Sequence, residues 1–193
     1  MKILLSSVVW CPLNQPEREA TILRHLNQLA TMNMSEEYLD IHIVDNDVQS
    51  PAILEAMRNV GGVVERFSPQ IGWAKGRNLA MQRMMENPEY VRLVMADCDQ
   101  CWDDLTWTQK VLVLHNSNPE MHAYMARMDK WAKHATARLK NGLVVDIYEE
   151  WLGTTNICDR YTVETVGGLN VDTFPQDSAP SSPKRLFRSS FAW

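Results

Sequence analysis

Apolar and polar positions change period in a regular order along the first half of the chain. Residues 3–9 are apolar except for Ser6 and Ser7, the pattern of a strand covered on both faces. Cys11-Pro12-Leu13-Asn14 breaks that run. Pro16 and Glu17 then signal a helix start, and Ile22, Leu23, Leu26, Leu29 and Ala30 recur at helical spacing. Residues 39–44 alternate and run into Asp45-Asn46-Asp47, which predicts a second strand ending in carboxylates. His42 falls on the less apolar side of that strand, where it suggests no chemistry. Ser50-Pro51 opens a second helix through Ile53, Leu54 and Met57, and Gly61-Gly62 stops it. Residues 63–67 read as a third strand. A third helix follows Gly72, with Ala74, Asn78, Met81 and Met85 on one stripe. Residues 90–96 are an apolar run that ends abruptly at Asp97-Cys98-Asp99, a fourth strand.

Strand and helix thus alternate up to Asp97, which predicts an α/β fold with a mostly parallel central sheet flanked by helices. Beyond it, a helix is expected from Asp103 or Asp104 through Leu105, Val111, Leu112 and Leu114, ended by Asn118-Pro119; residues 121–126 read as a further strand. Residues 135–140 and 143–148 flank Asn141-Gly142, the strongest hairpin signal in the chain, so a β-hairpin insertion is expected in the second half. Val166-Gly167-Gly168-Leu169 is a permissive turn in a less regular last third. A Ser/Pro-rich stretch at 178–183 marks off a single domain, 1–177, from a short linker and tail, 178–193.

Composition narrows the picture. The chain has 193 residues, 45% hydrophobic and 22% charged, enough for one sizeable core. A net charge of -5 argues against a non-specific polyanion binder, with Lys184, Arg185 and Arg188 a local exception. No apolar run approaches a membrane span, and residues 1–5 are too short for a signal peptide, so a cytoplasmic protein is expected. Cys11, Cys98, Cys101 and Cys158 are too scattered for a disulfide framework. Cys98 and Cys101 do form a C-x-x-C, but a zinc site needs a second ligand pair, and His115 and His122 are unpatterned. Packing in the core is the simpler expectation.

Asp97 and Asp99, at the end of a predicted buried strand, sit where open α/β sheets bind ligands. On extended backbone they would point the same way, so that one could meet a divalent cation and the other a polar ligand; an acidic strand end is also ordinary turn chemistry. Asn78, on an inward stripe, must satisfy its amide either by tying down a loop or by facing a ligand. Gly72 and Gly76 would let backbone approach something closely.

Taken in order, the first strand and its loop, Val44-Asp45-Asn46-Asp47, Gln70-Ile71-Gly72-Trp73-Ala74-Lys75-Gly76-Arg77-Asn78, Met95-Ala96-Asp97-Cys98-Asp99 and Val166-Gly167-Gly168-Leu169 resemble the nucleotide-sugar glycosyltransferases of family 2, which have the GT-A fold. The resemblance runs from the first strand to about Asp177. It implies a nucleotide-binding half, 1–99, and an acceptor half, 100–177. It also implies a metal-dependent, inverting hexosyl- or pentosyltransferase that moves a sugar from a nucleotide-sugar, with a lean to UDP, onto an acceptor hydroxyl. Asp45 would accept a hydrogen bond from the nucleobase, and Arg77 and Asn78 would shape the nucleotide pocket. Asp97 would lie near the ribose or sugar. Asp99 would ligate the Mn2+ or Mg2+ that bridges the phosphates, and Gly167 and Gly168 would floor the site. The catalytic base of such enzymes usually follows the Gly-Gly turn within Glu-Asp. Here Gln176-Asp177 stands in that place, so Asp177 is the first candidate and Asp172 the second. The usual helix beyond is replaced by Ser178-Ala179-Pro180-Ser181-Ser182-Pro183.

Arg160 and Arg188 could be phosphate or structural partners. Of Trp102, Trp107, Trp131 and Trp151, mostly core by type, the last two flank the hairpin and are favoured for stacking in an acceptor cleft. The acceptor stays open among glycan, lipid carrier, protein, small molecule and modified nucleic acid. Two other readings stay open. One is a nucleotidyltransferase of comparable architecture, although Val9-Trp10-Cys11-Pro12 lacks the glycine of a phosphate loop; the other is a non-catalytic nucleotide or glycan binder.

Overall fold

A computed structural model describes residues 1–35, 37–125, 135–138, 144–147, 155–169 and 171. The expected alternation is present: β1 (Lys2–Val9), α1 (Pro16–Ser35), β2 (Leu39–Asn46), α2 (Pro51–Asn59), β3 (Val63–Phe67), α3 (Trp73–Glu86) and β4 (Tyr90–Asp97). After it come α4 (Trp107–Ser117), β5 (Ala123–Met125), β6 (Ala135–Arg138), β7 (Val144–Ile147), β8 (Asn156–Cys158) and α5 (Arg160–Val166). One six-stranded sheet has the order β3-β2-β1-β4-β8-β5. β1 to β4 run parallel, and β8 is antiparallel to both of its neighbours, β4 and β5.

The period of two along each strand sorts side chains into two cores. Ile3, Leu5, Ile41, Ile43, Val94 and Ala96 pack with Ile22, Leu26 and Leu29 of α1 and Ile53 and Met57 of α2. Leu4, Leu93 and Met95 face the other way, against Ala80, Met81 and Met84 of α3 and Val163 of α5. Each fully buried Ile, Leu or Met contributes about 1.5–3 kcal/mol. The two serines that interrupt β1 are buried and each meets a buried histidine, on opposite faces of the sheet. Ser6 Oγ lies 3.1 Å from His42 Nδ1, and Ser7 Oγ 3.1 Å from His25 Nε2. His42 therefore belongs to the α3 layer, where Nε2 lies 3.2 Å from Glu65, itself paired with Arg83.

Local signals account for most boundaries. Ser50 Oγ accepts from the Ile53 amide with Pro51 at the first helical position, and Gly61 at φ 77° follows the end of α2. Arg160 donates to the carbonyls of Met84, Met85 and Asn87 at the C-terminal end of α3, so its role there is structural.

The second half departs from the sequence reading in several places. α4 begins at Trp107, not Asp103 or Asp104, because Asp104 Oδ1 accepts from both the amide and the hydroxyl of Thr106 and so holds a turn ahead of the helix. The further strand is shorter than 121–126, covering Ala123–Met125. β8 and α5 fall within the third expected to be less regular, as a buried three-residue strand and a helix capped by Asp159, whose Oδ1 accepts from the Thr162 amide. β6 and β7 form the expected antiparallel pair; Asn141-Gly142 lies outside the described residues. Among the described residues, no helix is long and apolar enough to cross a membrane.

Candidate functional site

The chain leaves β1 outward through β2 and β3, then returns to place β4 on the other side of β1. That direction reverses between β1 and β4, and the C-terminal ends of strands at such a reversal are where open α/β sheets bind ligands. The register sets Asp97 opposite Val8 and Asp45 opposite Val9, so both acids flank the last residues of β1.

Only one of them faces the α3 layer. Asp97 continues the parity of Leu93 and Met95, and its Oδ1 accepts from Arg77 at 2.6 Å and from the Trp73 indole N–H at 3.3 Å. Trp73 and Arg77 are one helical turn apart on α3, and the Arg77 guanidinium lies 4.0 Å from the Trp73 ring centroid. Arg77 is 4% exposed, whereas the Asp97 side chain keeps 28%. Burial pushes the Asp97 carboxyl above the usual carboxylate value, and the positive charge of Arg77 and the Trp73 hydrogen bond pull the other way.

Asp45 shares the parity of Ile41 and Ile43 and lies on the opposite side of the sheet from this cluster. It is 1% exposed; Oδ1 accepts from the Val48 amide at 2.9 Å, and Oδ2 lies 3.5 Å from the half-exposed Arg66. Burial raises its carboxyl as well. The side chain that β2 turns toward α3 is Asn46, whose Oδ1 accepts from the amides of Ile71 and Gly72 at 2.7 and 3.2 Å. Gly72, at φ 84°, then leads into α3. Gly76 lets the first turn of α3 sit on the sheet: a Cβ there would lie 2.8 Å from Val8 Cγ2.

β4 ends at Asp97, so the strand does not carry Asp99 alongside it. Residues 97–100 form a turn closed by the Gln100 amide on the Asp97 carbonyl, with Cys98 buried and Asp99 exposed. Among the described residues, the Asp99 carboxylate makes no hydrogen bond or ion pair. Burial lifts the Cys98 thiol to about 11 and the Cys158 thiol to about 12, so both stay protonated within the cores. Cys101 accepts from Arg24 Nε at 3.1 Å, and all the cysteines are free.

Asn78 ties down a loop. Its Nδ2 donates to the Leu169 carbonyl at 2.9 Å and its Oδ1 accepts from the Leu169 amide at 2.7 Å. Gly167, at φ 69°, ends α5, and Gly168, at φ 111°, passes so close to Asn78 that a Cβ would lie 3.2 Å from Oδ1. The Gly-Gly turn is therefore fastened to α3, one residue beyond Arg77. Trp102 stacks at 5.3 Å between His25 and Trp107, packed on the α1-side core. Asp172, Asp177, Arg188, Trp131 and Trp151 lie outside the described residues.

The sequence reading missed the roles of Trp73, Asn46 and His25. Counting strand parity from Ile41 and Ile43 would have shown that Asn46 shares the face of Asp97.

Among the described residues, no group of three or more His, Cys, Asp and Glu could enclose a metal. The donor set nonetheless fits a hard divalent cation that takes one or two carboxylates and completes its shell with phosphate and water. Asp99 offers an exposed carboxylate with no ion-pair partner among the described residues, and Asp97, one oxygen committed to Arg77, stands two residues away.

No protein-family model matches the chain, and no curated protein matches it. Solved structures do. S. aureus TarS 1–349 in complex with UDP superposes with a TM-score of 0.58 at 16% identity, over 94% of this chain and 52% of that one. The mannosyltransferase PcManGT from Pyrobaculum calidifontis, in complex with GDP-Man and Mn2+, gives 0.55 at 14%, over 91% and 48%. A CMP:2-keto-3-deoxy-manno-octonic acid synthetase complexed with CTP gives 0.52 at 7%, over 86% and 78%. The chain thus has a GT-A-like fold, shared with nucleotide-sugar transferases and with some nucleotidyltransferases, and spans about half the length of TarS 1–349 and of PcManGT.

Proposed function

We propose that the protein is a metal-dependent, inverting glycosyltransferase that uses a nucleotide-sugar, with UDP as the first choice of nucleotide. The observation that carries this reading is the Asp97–Arg77–Trp73 cluster beside the exposed Asp99, at the point of the sheet where the strand order reverses. The UDP bound by TarS, and the GDP-Man and Mn2+ bound by PcManGT, support it on the same fold.

In this reading Asp99 holds Mn2+ or Mg2+, with Asp97 orienting the sugar or ribose from its second oxygen. When bound, that cation supplies charge neutralisation to the departing diphosphate. Arg77 and Trp73 aim Asp97 and favour its charged form against burial. Asp45 would accept from the nucleobase through Oδ2, the oxygen that lies 3.5 Å from the half-exposed Arg66. Asn78 acts by holding Gly167-Gly168-Leu169 at the floor of the site. Asp177, or else Asp172, takes the proton of the acceptor hydroxyl as its oxygen attacks the anomeric carbon; the bond from that carbon to the diphosphate oxygen breaks, with inversion. The domain runs to Asp177, and the free thiols support a cytoplasmic setting.

A nucleotidyltransferase remains the second reading because the CMP-sugar synthetase shares the fold. The Val9-Trp10-Cys11-Pro12 loop, without glycine, disfavours it.

Thermal unfolding with UDP, GDP or CTP, with and without Mn2+, tests the proposal. At about 100 times Kd, UDP with Mn2+ is expected to raise Tm by about 5–10 °C, more than UDP alone, and Asp99→Ala to remove the metal increment. Equal shifts with and without Mn2+ would refute metal bridging. A CTP preference would favour the nucleotidyltransferase, and tight UDP binding without UDP release from any donor would favour a binder.

A further inference from the structure

α1 grips the loop that follows the acidic turn with side chains from one face. Gln28 pairs with the backbone of Trp102, donating from Nε2 to its carbonyl at 2.7 Å and accepting from its amide at 2.9 Å. Arg24 Nε reaches Cys101 Sγ. His25, with no exposed surface, lies 2.6 Å from the Gln100 carbonyl through Nδ1 and 3.1 Å from Ser7 Oγ through Nε2.

The chemistry of the partners assigns the histidine's protons. A carbonyl only accepts, so Nδ1 carries the hydrogen; in the neutral ring that full burial favours, Nε2 is then the acceptor and the Ser7 hydroxyl donates to it. The ring is a neutral, directed link from the middle of β1 to the residue next to Asp99. It sits beneath the sheet, on the side opposite Arg77 and Trp73. Asp97 is thus held from the α3 layer and the Asp99 end of the turn from the α1 layer. Among the described residues, Asp99 itself makes no hydrogen bond or ion pair that would fix it.

We infer that His25 is a positioning residue for the cation site: its Nδ1–H, on the Gln100 carbonyl, sets the turn that presents Asp99. The inference rests on the reading of Asp99 as a metal ligand. Outer partners that orient a ligand typically govern metal affinity about 10- to 100-fold.

Two variants separate the donor from the volume it occupies. His25→Leu fills the space and removes both hydrogen bonds, whereas the amide of His25→Asn reaches the place of Nδ1 and restores the bond to Gln100. Mn2+ affinity in the presence of UDP and hydrogen exchange at the Gln100 amide without any ligand are the two measurements. His25→Leu is expected to weaken Mn2+ about 10- to 100-fold, leave UDP binding without metal unchanged, and speed Gln100 exchange about tenfold. His25→Asn should stay near wild type in all of these. Should His25→Leu not fold, His25→Gln, whose amide reaches only the distal nitrogen's place, carries the same expectation.

A wild-type rate of Gln100 exchange in His25→Leu overturns the inference. So does equal loss of Mn2+ binding in the Leu and Asn variants, which would mark the ring as filler. If the wild-type protein shows no Mn2+ increment, the assignment of Asp99 fails and takes this inference with it. If wild type shows the increment and His25→Leu keeps it, only the role of His25 fails.

Discussion

At the scale of single residues, burial sets charge states whose consequences can be measured. Burial holds the His25 imidazole down from 6.5 to about 4, against the Gln100 hydrogen bond. Between those values the unfolded chain binds a proton that the native state refuses. The contribution is therefore full above pH 6.5 and is lost as pH falls through about 4; at about 1.4 kcal/mol per pH unit it amounts to about 3 kcal/mol. Urea unfolding of the wild type at pH 7 and pH 4.5 is expected to show an acid loss larger by about 2–3 kcal/mol than that of His25→Asn. His42 and His115 are lowered in the same direction, which is why the comparison with the variant, and not the wild-type curve alone, isolates His25. Asp97 has the opposite sign. Its folded value is raised, so its contribution is present below the usual carboxylate value and is lost as pH rises through the folded one. The positive charge of Arg77 and the Trp73 hydrogen bond oppose that rise.

At the scale of elements, amide side chains replace backbone partners where loops meet helices. Gln28 pairs with Trp102 and Asn78 with Leu169, each by one bond given and one received, while Asn46 receives two amides at the entry to α3. α3 is the element on which the site depends most, since it carries Trp73, Arg77 and Asn78. Its seat on β1 is set by Gly76. Gly76→Ala would gain about 1 kcal/mol of helix propensity, yet its methyl would lie 2.8 and 3.0 Å from the Val8 methyls, on a strand hydrogen-bonded on both sides. The variant is expected to be destabilised by about 1–2 kcal/mol, with a lower urea midpoint at an unchanged slope. A stabilised Gly76→Ala would show that α3 can lift from the sheet at little cost.

At the scale of the whole molecule, the parallel half of the sheet supplies the rim. β8 and β5 extend the sheet on the other side of β4, and Asp159 and Arg160 lock α5 to β8 and α3. If the domain ends at Asp177, a chain truncated there is expected to keep the same UDP and Mn2+ thermal shifts as the full chain. Loss of those shifts would place part of the site in 178–193.

The apolar period alone determined the elements from β1 to β4 and their parallel, helix-covered arrangement, because a strand or helix face is written by residues two to four apart. It also marked Asp97 and Asp99 as a strand-end pair, and Asn78 as an amide that needed partners. Only the tertiary structure decided which partners: Leu169 is 91 residues from Asn78, and Gln100 is 75 from His25. It also decided that β4 stops before Asp99. β8 was too short to show a period; its three residues are a strand because β4 and β5 offer hydrogen bonds on either side. Local sequence specifies the face a residue occupies, and the long-range closure of the sheet specifies what stands opposite that face.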